Sequence, residues 1–218
     1  GGKSPVIISP KADMAPTTDA LMAGKMLNAG QICLAPDYVF VPRNRMSEFV
    51  ESSKRSVAKM YPTLLDNPDY TSVVNERHFQ RINGYVDEAR ERGVEVVEIN
   101  PANENFGQQS AHKIAPTFLI DPPEDSAVMK EEIFGPVMPI KSYDSLDETM
   151  DYVNSHERPL GLYYFGTDQQ ETDQVLGNTT SGGVTLNDVV MHVAQEDLPF
   201  GGVGPSGMGS YHGEDGFR

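Results

Sequence analysis

Val6-Ile7-Ile8 and Tyr38-Val39-Phe40-Val41 are two short apolar runs, and residues 13–28 between them carry a helical pattern. β-Branched and aromatic runs of this length, bounded by polar residues, read as buried strands. Asp13 stands where a helix cap belongs, Pro16 suits a first turn, and Leu21, Gly24 and Leu27 share one face. The same alternation continues outward. Phe49, Val50, Ser53, Val57 and Met60 keep helical spacing up to Pro62. Residues 75–93 make the clearest helix, with Phe79, Ile82, Val86 and Ala89 on one face and Gly93 closing it. Val94-Glu95-Val96-Val97 reads as a strand, residues 100–113 as an aperiodic loop, and residues 114–120 as a strand. Ser145-Leu146-Asp147-Glu148 is a capping box that opens a helix with Leu146, Met150 and Val153 inward. A strand at 162–165, a short helix at 168–176 and a strand at 183–186 complete the pattern. This predicts an α/β fold: an open, mostly parallel, doubly wound sheet with helices on both faces, joined by right-handed βαβ crossovers. No repeat, low-complexity tract or linker interrupts it, so residues 1–218 read as one domain.

Composition narrows the partners. With 17 basic and 32 acidic side chains the formal charge is −15. Such a surface repels phosphate backbones and anionic lipid, so neither nucleic acid nor membrane is expected as a partner. No apolar run approaches spanning length. A single cysteine has no internal disulfide partner and fits a reducing cytoplasm. Asn178-Thr179-Thr180 matches a glycosylation sequon, but no secretory signal accompanies it. The opening Gly1-Gly2-Lys3 is expected to lie inside a longer protein.

That cysteine, Cys33, ends Leu27-Asn28-Ala29-Gly30-Gln31-Ile32-Cys33. It is either a buried small hydrophobe or a nucleophile. Gly30 permits a tight turn that lifts the thiol to a sheet edge, and the Gln31 amide can support that turn. Cys33 follows the predicted helix and lies just before a strand, whereas in open α/β sheets sites generally gather at strand carboxyl ends.

Lys130-Glu131-Glu132-Ile133-Phe134-Gly135-Pro136-Val137 is either a solvated charge run or a ribose site. In an extended segment residues i and i+2 point the same way, so Glu132 and Phe134 act together while Glu131 faces away. Leu198-Pro199-Phe200-Gly201-Gly202-Val203-Gly204-Pro205-Ser206-Gly207-Met208-Gly209 contains a formal GxGxxG. Pro205 sits inside it, and neither a leading strand nor a following βαβ unit is present, so it is not a dinucleotide fingerprint. It reads instead as a tight glycine turn with Phe200 lining a pocket. His192 and His212 flank it as further pocket candidates. No histidine has metal-ligand spacing to the cysteine, and no metal is expected.

In this order, Gly1-Gly2-Lys3-Ser4-Pro5, Gly30-Gln31-Ile32-Cys33, Glu131-Glu132-Ile133-Phe134-Gly135-Pro136 and Pro199-Phe200-Gly201-Gly202 resemble the signature blocks of the aldehyde dehydrogenase superfamily. Asn187-Asp188-Val189-Val190-Met191-His192 and the run from Gly202 to Gly213 resemble its class 3 branch, which takes aliphatic and aromatic aldehydes. The ending His212-Gly213-Glu214-Asp215-Gly216-Phe217 is similar to bacterial coniferyl aldehyde dehydrogenases. The resemblance implies NAD or NADP as cofactor and an aldehyde, coniferyl aldehyde being one example, as substrate. It implies Cys33 as nucleophile, Glu132 on the nicotinamide ribose, Phe134 beside the nicotinamide, and Phe200 and His192 in the substrate pocket. It further implies that the general-base glutamate, the oxyanion asparagine, the dinucleotide-binding domain and a dimer-building C-terminal segment lie outside this chain. The intact protein would then be a homodimer and this domain alone inactive. Three readings compete: a CoA-acylating relative, a Cys-dependent hydrolase, and a non-catalytic relative with a spectator Cys33.

Overall fold

The computed structural model describes residues 1–217. Seven strands form one sheet in the order β3-β4-β5-β2-β1-β6-β7. They are β1 (Ser4–Ile8), β2 (Pro36–Pro42), β3 (Glu95–Glu98), β4 (Thr117–Ile120), β5 (Val137–Tyr143), β6 (Gly161–Phe165) and β7 (Gly183–Leu186). The helices are α1 (Met14–Met26), α2 (Met46–Met60), α3 (Glu76–Glu91), α4 (Ala127–Lys130), α5 (Leu146–Ser155), α6 (Gln169–Asn178) and α7 (Gly213–Phe217). All strand pairs are parallel except β3–β4, which is antiparallel. The expected α/β architecture is therefore the observed one.

The two-sided core explains why the strands read as unbroken apolar runs. Val6, Ile8, Val39 and Val41 face one side, where α1 and α2 contribute Leu21, Met22, Phe49 and Val57. Ile7, Tyr38 and Phe40 face the other, against Met150 and Val153 of α5 and Val175 of α6. Leu119 and Val137 meet Ile82, Val86 and Ala89 of α3 on that second side. With both faces covered, alternation disappears and every residue of β1 and β2 is buried. Each large side chain so removed from water contributes about 1.5–3 kcal/mol.

Several local expectations change. The sequence reading left out β5, yet it is central, between β4 and β2. Pro139 lies inside it, and a proline argues against a central strand. Residues 114–116 precede β4 rather than belong to it. Ser145 makes no side-chain cap, and the Glu148 carboxylate accepts the Asp144 N–H at 3.0 Å instead, one residue short of a true box. Asp13 occupies the cap position of α1 without a capping bond. Asn75 and Asp168 do cap, accepting from His78 N, and from Gln170 N and Glu171 N.

Candidate active site

Cys33 lies ahead of β2, at the amino end of the strand. Cys33 thus sits between helix and strand as its sequence position implied, and the general rule of carboxyl-end sites does not hold for it. At the carboxyl ends of β1 and β6, Ser9 and Tyr164 both donate to Glu171. Because six strands run parallel, the amino ends of β1, β2, β5, β6 and β7 share one edge of the sheet. Every candidate block of the sequence lies along it.

α1 stops before Cys33 through an unusual turn. Asn28, Ala29 and Gly30 are consecutive left-handed residues, with φ of 51°, 52° and 75°. Two of them carry a Cβ and are strained. The Gln31 amide holds the turn: its Nε2 donates to Asn28 O and to Ser72 O, both at 3.0 Å, and its Oε1 accepts Val74 N at 2.9 Å. The support expected of Gln31 is present, and it reaches a distant loop as well. Cys33 itself is exposed, which removes the reading of it as a buried hydrophobe.

Gly30 has a second task. A Cβ there would sit 2.3 Å from the carbonyl oxygen of Gly135. The cysteine turn therefore rests directly on the Glu131–Pro136 backbone. That segment is fixed from beneath. Asp37 Oδ2 accepts Ile133 N at 2.9 Å, and the Lys3 ammonium pairs with Asp37 while donating to Val128 O at 2.7 Å and Glu131 O at 2.8 Å. Arg81 donates to Ile133 O at 2.7 Å and to the Tyr85 hydroxyl, which donates to Glu131 Oε2 at 2.6 Å. Alternation holds as far as Ile133: Glu131 and the buried Ile133 face α3, while Glu132 between them points the other way. Phe134 then departs from it: its φ is +50° and it is 42% exposed. A bulky residue in this conformation is held there by its surroundings, a feature that clusters at functional sites.

Glu132 borders a cleft of roughly 600 Å³ that Gly1, Gly2, Tyr38, Tyr152, Pro205 and Ser206 help to line. A Cβ on Gly1 would lie 3.1 Å from its Oε2. Burial raises the Glu132 carboxyl above its ordinary value; a bond from the Gly2 backbone opposes this and the nearby Asp37 charge reinforces it. Behind it Lys25 of α1 is fully buried, and desolvation pushes its ammonium down to about 8 against the pull of Asp37.

The glycine segment closes on itself. Phe200 and Tyr211 exchange backbone bonds at 3.0 and 2.6 Å, and Cβ atoms on Gly201 or Gly202 would meet Gly209 O at 2.0 Å or Gly207 N at 2.4 Å. This is the tight turn expected. It presents Phe200 to His192 at 5.9 Å between centroids, and His192 to Tyr163 at 6.1 Å. The His192 Nδ1 pairs with Thr185 Oγ1 at 2.9 Å, its Nε2 is buried without a partner, and burial lowers its pKa. Tyr163 donates to Leu34 O at 2.6 Å; burial holds its hydroxyl above the phenol range, against a backbone bond at Val190 that lowers it.

Two neighbourhoods result. Cys33, Tyr163, His192 and Phe200 form one. Glu132 and its cleft form the other, and Cys33, Phe134, Phe200 and His192 do not line that cleft. The Gly30–Gly135 contact joins them. Sequence reading missed Tyr163, Lys3, Asp37 and Arg81. Lys3 and Asp37 left one signal, since charges at the entrance of two buried strands require partners. Tyr163 left none, because its place beside Leu34 depends on sheet order. Among the described residues no group of three or more His, Cys, Asp or Glu side chains is placed to hold a metal ion, and no helix is long and apolar enough to cross a membrane.

Comparison with known proteins extends these observations. The description of the aldehyde dehydrogenase family matches residues 1–218. The chain is 61% identical over 218 residues to the probable coniferyl aldehyde dehydrogenase of Caulobacter vibrioides, covering 100% of this chain and 45% of that one. It is 40% identical over 219 residues to the dimeric NADP-preferring aldehyde dehydrogenase of Rattus norvegicus, covering 46% of it. The substrate-bound structure of Staphylococcus aureus AldH superposes on the whole chain with a TM-score of 0.91 at 37% identity, over 46% of its own length. The chain thus spans less than half the length of these relatives.

Proposed function

The chain belongs to the aldehyde dehydrogenase family, and on that premise we propose that residues 1–218 are the nucleophile-bearing domain of a nicotinamide-dependent enzyme that oxidises an aldehyde to its acid. The observation that carries this reading is the exposed Cys33 on a strained turn wedged against the Glu132–Phe134 segment. Cys33 Sγ adds to the aldehyde carbon, giving a thiohemiacetal whose oxygen the Cys33 backbone N–H stabilises. The dinucleotide, NAD or NADP, supplies the hydride acceptor when bound. With that acceptor bound, loss of hydride from the thiohemiacetal carbon would leave a thioester on Cys33, which an activated water would hydrolyse to the acid, freeing the thiol. The general base and a second oxyanion donor are assigned to parts of the intact protein outside these residues, so this domain alone turns over no aldehyde.

The residues fit the dinucleotide. A half-buried carboxylate at the mouth of a cleft, beside two glycines without side chains to fill it, accepts two ribose hydroxyls, and this is the role assigned to Glu132. Phe134 offers an exposed ring two residues on. Phe200 and His192, backed by the buried Tyr163, give the acyl side an aromatic wall, which suits an arylpropenal such as coniferyl aldehyde, as does the similarity to the Caulobacter protein. Cytoplasmic location and a homodimer belong to the same proposal. A Cys–His hydrolase is disfavoured because Thr185 takes His192 Nδ1, and among the described residues no histidine is hydrogen-bonded to Cys33.

The test is a substrate panel on the intact protein, following reduced nicotinamide with hydroxycinnamaldehydes, benzaldehydes and straight-chain aldehydes. Preference for coniferaldehyde is the expected result. Preference for a straight chain removes the narrow substrate, and no reduction of either dinucleotide removes the reading altogether.

Glu132 makes a separate prediction. Its carboxyl binds a proton more tightly folded than unfolded, where its ordinary value is 4.5. Its contribution to stability is therefore full below pH 4.5 and is lost as pH rises through the higher folded value. Glu132→Gln should raise Tm at pH 7 slightly, by about 2 °C or less, flatten that part of the pH profile, and raise the KM for dinucleotide about tenfold or more. Thermal melts from pH 4 to 8, beside dinucleotide titrations, check both halves.

A further inference from the structure

The geometry points to Lys113 as a positioning residue for Cys33, acting through the loop between α2 and α3. Lys113 is 8% exposed, and its ammonium donates to three backbone carbonyls, Leu64 at 3.0 Å, Leu65 at 2.9 Å and Asn67 at 2.7 Å. Three protons meet three acceptors, so the buried charge is satisfied without a carboxylate partner. Glu104 holds the same turn from its other side, accepting Leu64 N at 2.6 Å and Leu65 N at 3.0 Å. Both charged groups come from residues 100–113, the stretch without any periodicity. Gln109 folds that stretch by bonding Lys113 N at 2.8 Å and Lys113 O at 2.7 Å.

The held loop continues to the cysteine turn. Tyr70 OH donates to Ile114 O at 2.6 Å and Val73 N to His112 O at 3.0 Å. Between them the loop is pinned so that Ser72 O and Val74 N face the Gln31 amide. Gln31 in turn bonds Asn28 O and so restrains the left-handed residues that precede Cys33. That turn is strained and does not hold its shape alone. Its shape depends on where residues 72–74 stand, and their place depends on the ammonium in its carbonyl cradle. Without Lys113 three carbonyls, one buried and two partly buried, lose their donor and the loop reopens to water.

The inference rests on the reading of Cys33 as nucleophile, but its test separates the two. Amide hydrogen exchange and steady-state kinetics are measured on the intact protein for K113M, Q31A and the double variant. K113M is expected to speed exchange about tenfold in residues 62–74 and also in residues 28–34, and to lower kcat about tenfold with KM nearly unchanged. The double variant should be no slower than Q31A, since both act on one turn. K113R, which keeps charge and donors, should recover most of the loss. E104A releases the same turn more gently and decides the matter if K113M does not fold. Exchange faster in 62–74 alone, with 28–34 and kcat unmoved, overturns the inference, as do losses that multiply in the double variant. If the intact protein oxidises no aldehyde, the exchange at 28–34 still answers whether Lys113 holds the turn.

Discussion

Replacing Cys33 by serine will lower kcat for aldehyde oxidation by the intact protein at least about 10³-fold while Tm moves by no more than about 2 °C. The two halves follow from separate facts. The thiolate is a far stronger nucleophile than a serine hydroxyl at neutral pH. The side chain is exposed, so the core does not register its replacement. Activated-ester hydrolysis, if present, should fall in parallel, because it would use the same sulfur. Aldehyde oxidation at more than a tenth of the original rate would make Cys33 a bystander.

Gly30→Ala is expected to be as damaging by a different route. The new Cβ meets two backbone atoms, Gly135 O at 2.3 Å and Gly135 C at 2.7 Å, neither of which can swing aside, and φ is already +75°. We expect a loss of about 2–4 kcal/mol in stability and a fall in kcat of about 10²-fold, since the cysteine turn and the Glu132–Phe134 segment must separate. Gly93→Ala supplies the control. Its φ is +73°, but nothing lies within 4 Å of the added Cβ. It should cost only about 1 kcal/mol, from backbone strain, and leave kcat intact. Denaturant melts and kinetics on the two variants separate strain from collision. Should Gly30→Ala behave like Gly93→Ala, the two candidate halves of the site do not depend on each other.

The sheet was legible because burial on both faces writes continuous apolar runs, which survive in the sequence without context. The strand at Val137–Tyr143 was not, since Pro139 carries the local signal of a strand breaker while its neighbours on both sides keep it in the ladder. The candidate residues Cys33, Glu132, Phe134, Phe200 and His192 stood out by type and motif. Their arrangement did not. Open sheets generally gather their sites at strand carboxyl ends, and this chain instead gathers its blocks at the amino ends. Likewise the stretch 100–113 shows no period, because its order comes from Lys113, Glu104 and Gln109 bonding to distant backbone groups.

By itself, then, the order of residues determined the strand–helix alternation, the lone thiol and the glycines that permit close turns. These are properties of single residues and their near neighbours, set by sterics and hydrophobic spacing. Only the folded chain decided that Gly30 lies on Gly135, that Asp37 and Lys3 anchor the Ile133 peptide, and that Tyr163 stands beside Leu34. Those contacts join residues far apart in the chain, and their geometry exists only once strand order and register are set.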